Sequence, residues 1–66
     1  MISIIDLYTR ATVTWINRNQ ITLTYRDVNT YEEFIDIESR HMDMGDFPIS
    51  AKYDPETHTA YMTFSV

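Results

Sequence analysis

From Ile5 onward the chain alternates, with Ile5, Leu7, Thr9, Ala11, Val13 and Trp15 at odd positions and Asp6, Tyr8, Arg10, Thr12 and Thr14 at even ones. A two-residue period places successive side chains on opposite faces, which predicts a half-buried strand. The run exceeds the usual strand of about five or six residues, so a bend, a bulge or a start nearer Tyr8 is expected. Trp15 shares parity with Leu7, Ala11 and Val13 and is assigned to the core. "INRNQ" then predicts a hairpin loop, because asparagine tolerates the left-handed backbone of tight turns. In "QITLTYRDV" the alternation resumes, with Ile21, Leu23 and Tyr25 on one face and Thr22, Thr24 and Arg26 on the other.

The period changes at "NTYEE". Thr30 followed three residues later by Glu33 makes a capping box, and early acids suit the positive end of a helix dipole. The spacing predicts a helix over 31–42, with Tyr31, Phe34, Ile35, Ile37, His41 and Met42 on its apolar side. Glu38 falls inside that arc without an evident reason. Gly45, the one glycine, and the following "DFP" end the helix. "ISAKYDPETHTAYMTFSV" predicts a second hairpin turning at "DPET", with Ile49, Ala51 and Tyr53 on one face of its first strand. Ala60, Met62, Phe64 and Val66 share a face of its second strand.

The elements sum to an α+β fold of order ββαββ: a four-stranded, mostly antiparallel sheet with one helix packed on one face. The stretches 11–17 and 57–66 hold no charge apart from His58. Uncharged edges invite aggregation, so both strands are expected to be central, or the C-terminal one to pair with another copy in a homodimer.

Composition narrows the class. Sixty-six residues form one small acidic domain, 1–66, and no cysteine is available for disulfides or thiolate zinc sites, which predicts a reducing, cytoplasmic home. No apolar run is long enough for a membrane span. The net charge of −5 is uneven: residues 27–46 carry seven of the ten acids and a single base, Arg40, which leaves the remainder slightly positive. This balance opposes direct nucleic-acid binding, whose affinity rests on basic groups. A weaker alternative remains on the polar sheet face, where Tyr8, Arg10, Arg26, Lys52 and Tyr61 could stack and neutralise a single strand.

The acidic stretch is the candidate site: Glu32, Glu33, Asp36, Glu38, Asp43 and Asp46, with Met44 and Phe47 as apolar anchors among the charges. As a surface it would engage a basic partner protein, with mimicry of nucleic-acid phosphates as one form of that recognition. The bland counterpart is a solvated helix face that keeps the protein soluble. His41, Asp43, Asp46 and His58 match no metal-site spacing, so no metal or cofactor is expected. No nucleophile motif, phosphate loop or separated carboxylate pair is present, which predicts a non-enzymatic protein. Size, acidity and lack of cysteine resemble small phage and mobile-element proteins that bind and inhibit one host protein, a likeness of general features without a motif. Self-association through the strands is the alternative function.

Overall fold

The computed structural model describes residues 10–65. Strand β1 spans Ala11–Asn17, β2 Gln20–Tyr25, helix α1 Tyr31–Asp43, β3 Ser50–Asp54 and β4 Thr59–Ser65. All four strands are antiparallel in one sheet of order β1-β2-β4-β3, and one face carries the helix, the α+β ββαββ arrangement that the alternation predicts. The expectations for Ile5, Leu7, Tyr8, Thr9 and Val66 fall outside the described residues.

Register turns the alternation into rows across the sheet. Ala11, Tyr25, Ala60 and Tyr53 form one row; Val13, Leu23, Met62 and Ala51 form the next; Trp15, Ile21 and Phe64 form a third. Directly opposed residues share a face, so these rows make the apolar side. The intervening rows, Thr12 with Thr24, Tyr61 and Lys52, and Thr14 with Thr22, Thr63 and Ser50, make the polar side. On it the Thr22 and Thr63 hydroxyls are hydrogen-bonded at 3.1 Å.

The β1–β2 loop solves its turn differently from the sequence expectation. Neither Arg18 nor Asn19 has positive φ; instead the Asn17 carboxamide oxygen accepts from the Asn19 N–H at 2.8 Å, and the register shifts between Trp15 and Asn17. An asparagine side chain thus imitates a turn of backbone. The second hairpin uses the same device, since Asp54 Oδ1 accepts from the Glu56 N–H at 2.9 Å, and His58 closes it at φ 53°.

The capping box forms in part, with the Glu33 carboxylate bonding the residue before the N-cap rather than the N-cap itself. Thr30 Oγ1 accepts from the Glu33 N–H at 3.1 Å, and Glu33 Oε2 accepts in return from the Asn29 N–H at 3.3 Å. At the other end Gly45, at φ 86°, donates to Met42 O, and the Asp46 N–H donates to His41 O, both at 2.9 Å. This is a Schellman ending, which requires a left-handed residue where glycine stands.

Only part of the predicted apolar arc is buried: Phe34, Ile37 and His41 face the core, while Tyr31, Ile35 and Met42 are exposed. Glu38 is half-buried at the margin of this narrower stripe, which accounts for its place inside the arc. The helix lies toward β3 and β4: Phe34 stacks on Tyr53 with ring centroids 5.7 Å apart, Tyr31 lies 6.3 Å from Tyr53, and His41 lies 4.8 Å from Phe64.

Two expectations are corrected by this placement. Strand β4 is central as expected, with β2 and β3 on its flanks, so it has no free edge for a second copy; β1, also expected to be central, is an edge. Trp15 is not in the core but 61% exposed, and Val13 is 50% exposed, whereas Leu23, directly opposite Val13, is 1% exposed. Four strands at about 4.8 Å spacing make a sheet about 19 Å wide, and a helix is only about 10 Å across. One helix displaced toward β3 cannot reach the β1 side.

Candidate functional site

The proposed acidic residues separate into two ends of one helix and its margins. Glu32 and Glu33 stand exposed in the first turn, and Asp36 follows on the next. They line a cleft of about 490 Å³ with Ile37 and Arg10, the residue that precedes β1. Asp36 Oδ2 accepts from Arg40 Nε at 3.1 Å, an i,i+4 pair with both side chains partly in solvent. Such a pair contributes a few tenths of a kcal/mol, so it positions Arg40 more than it stabilises the fold.

Glu38 projects from the other flank of the helix, the one that carries Tyr31 toward Tyr53, and is therefore set apart from this group. Asp43 is exposed in the final turn. Beyond it, Asp46 and Phe47 line a cavity of about 420 Å³ with Ile21, His41 and Phe64. Phe47 is 69% exposed, as an apolar anchor requires; Met44 is not, because it is half-buried against the core.

His41 links this end of the helix to the sheet. Its Nε2 shares a 2.7 Å hydrogen bond with the Tyr25 hydroxyl, and its ring packs on Phe64. Burial pushes the imidazole below its ordinary pKa, while the nearby Asp46 carboxylate opposes that shift. The helix ending explains why Asp46 is there, since its N–H is tied to His41 O.

The candidate metal residues do not converge. His58 bonds Asn29 Oδ1 at 3.0 Å beside the start of α1, at the opposite end of the helix from His41. Among the described residues no three His, Cys, Asp or Glu side chains are grouped to hold a metal ion, and no helix is long and apolar enough to cross a membrane.

On the polar sheet face the predicted contacts are sparse. Lys52 and Tyr61 are adjacent across β3 and β4, and both are exposed; Arg10 and Arg26 lie at the β1–β2 side, outside the strands, and Tyr8 lies outside the described residues. The feature that parity reasoning missed is the β1 margin, with Val13, Trp15 and Ile16 all more than half in solvent or close to it. A signal for it existed: one thirteen-residue helix is too narrow for four strands.

No protein-family model, no curated protein and no solved structure matches this chain. The functional reading therefore rests on the surface itself.

Proposed function

We propose that this protein is a non-enzymatic binding module whose acidic helix face engages a basic surface on a partner protein and occludes it. One observation carries the reading. Of Glu32, Glu33, Asp36 and Asp43, only Asp36 has a cation within ion-pairing distance among the described residues, and Glu33 is held only by the Asn29 N–H, so the exposed face keeps negative charge to be matched from outside.

Glu32, Glu33 and Asp36 form the charged part of the contact, and Asp43 and Asp46 extend it toward Phe47, the exposed apolar anchor. Charges of this kind steer encounter and set partner choice, while a desolvated aromatic supplies more of the retention. Carboxylates spaced along one helix can substitute for phosphates in a groove built for nucleic acid, which suits a small inhibitor of the phage or mobile-element kind. The lack of cysteine suits a cytoplasmic setting.

Affinity capture from a lysate of the source cell tests this. The wild type is compared with a Glu32→Lys, Glu33→Lys, Asp36→Lys variant at low and high salt. The expected result is one protein retained by the wild type, released by salt and lost with the variant, because exposed charges are screened beyond about 10 Å at 0.1 M ionic strength. Equal retention by both forms, or retention indifferent to salt, would contradict the reading.

A further inference from the structure

The two edges of the sheet are built unlike each other. Edge strand β3 carries Lys52 and Asp54, is five residues long, and is bracketed by Pro48 and Pro55. Charges, shortness and nearby prolines are the usual means by which an edge is kept from pairing. Edge strand β1 has none of them: it is seven residues long, without charge or proline, and its register with β2 is unbroken from Ala11 to Trp15.

Charge around β1 is equally distinctive. The hairpin 10–26 contains Arg10, Arg18 and Arg26 and no acid, in a chain that is otherwise strongly acidic. The register that sets Ala11 opposite Tyr25 brings Arg10 and Arg26 to one end of the edge, and Arg18 stands in the turn at the other. Part of the Arg10 charge faces Glu32, Glu33 and Asp36 across their cleft, so the far end, at Arg18, is the less compensated.

We propose that the β1 edge is a docking site for an extended segment of another protein, added to the sheet as a fifth strand and carrying acidic residues at its ends. Backbone hydrogen bonds to β1 supply affinity, and alternate side chains supply selectivity. Those on the helix side lie beside Val13 and Trp15 and are apolar; those on the other side lie beside Thr12 and Thr14 and are polar. A second copy fits less well, because two antiparallel β1 strands paired about Thr14 set Arg10 against Arg18. This site goes beyond the helix-face contact, using a different edge and the opposite charge, and meets it only at Arg10, which shares a cleft with Glu32, Glu33 and Asp36.

The test uses the full chain and synthetic peptides of alternating valine and threonine, with glutamates at both ends, with lysines at both ends, or with glutamate ends and a methylated central backbone. Trp15, the one tryptophan, reports binding by its emission, and amide exchange reports pairing along β1. The expected result is a saturable blue shift and slowed β1 exchange with the glutamate peptide, at least tenfold weaker binding of the lysine peptide at low salt, and none of the methylated one. An Arg10→Glu, Arg18→Glu variant, checked for an unchanged melting curve, is expected to reverse the preference between glutamate and lysine. No response to any peptide, equal binding of the methylated peptide, or no discrimination by charge overturns the proposal. So does β1 exchange already slowed in the free protein, or a dimer that β1 substitution by Thr14→Lys dissolves, since either means that the chain itself occupies the edge.

Discussion

At the scale of single residues, Trp15 and Leu23 separate parity from burial. They lie on the same face two rows of one hairpin apart, yet one is mostly in solvent and the other closed off by α1. Leu23→Ala is therefore expected to cost about 2–5 kcal/mol, as truncations in packed cores do. Trp15→Ala is expected to change stability by no more than about 0.5 kcal/mol. Denaturant midpoints for the two variants check both. His41 makes a pH-dependent contribution whose sign follows from burial. Its folded pKa lies below the ordinary 6.5, so the unfolded chain binds the proton more readily. Stability is complete above about 6.5 and falls as the pH drops through that value toward the lower folded pKa. In unfolding midpoints measured across this range, His41→Gln is expected to flatten that slope whatever its effect on the midpoint at neutral pH.

Elements show which signals survive translation into three dimensions. Local chemistry was readable: Thr30 caps α1 at the Glu33 N–H as their spacing predicts, and Thr30→Ala is expected to cost about 1 kcal/mol in thermal or chemical unfolding. Gly45 ends the helix at positive φ with open space around its Cα, so Gly45→Ala is expected to lose about 1–2 kcal/mol through backbone conformation alone. Alternation in β2, β3 and β4 correctly separated the buried Leu23, Tyr25, Met62 and Phe64 from the polar threonine rows. Strand order was not readable, because absence of charge in β1 and β4 says that both edges are vulnerable but not which one is covered. For the same reason Trp15 was misplaced: parity identifies a face, whereas coverage depends on where the helix sits. The candidate acids were legible as a cluster but not as groups, since only the fold places Glu38 on the far flank and joins Asp46 to His41.

The whole molecule separates its charge and its coverage along the same direction. Acids collect on α1 and the turn after it, Arg10, Arg18 and Arg26 collect on the β1–β2 hairpin, and the helix reaches β2 through His41 and Tyr25 but packs toward β3 and leaves β1 exposed. An acidic helix face and an uncharged, open strand edge consequently belong to one small protein, each suited to a different contact. The strand-edge reading depends on a packing claim, that among the described residues α1 covers β2, β4 and β3 and leaves β1 bare. Quenching of Trp15 fluorescence by acrylamide in the isolated protein tests it most directly. An emission close to that of free tryptophan in water, quenched nearly as readily, is the result expected of a side chain 61% exposed. A blue-shifted emission shielded from acrylamide would mean that β1 is covered in solution and would contradict the account.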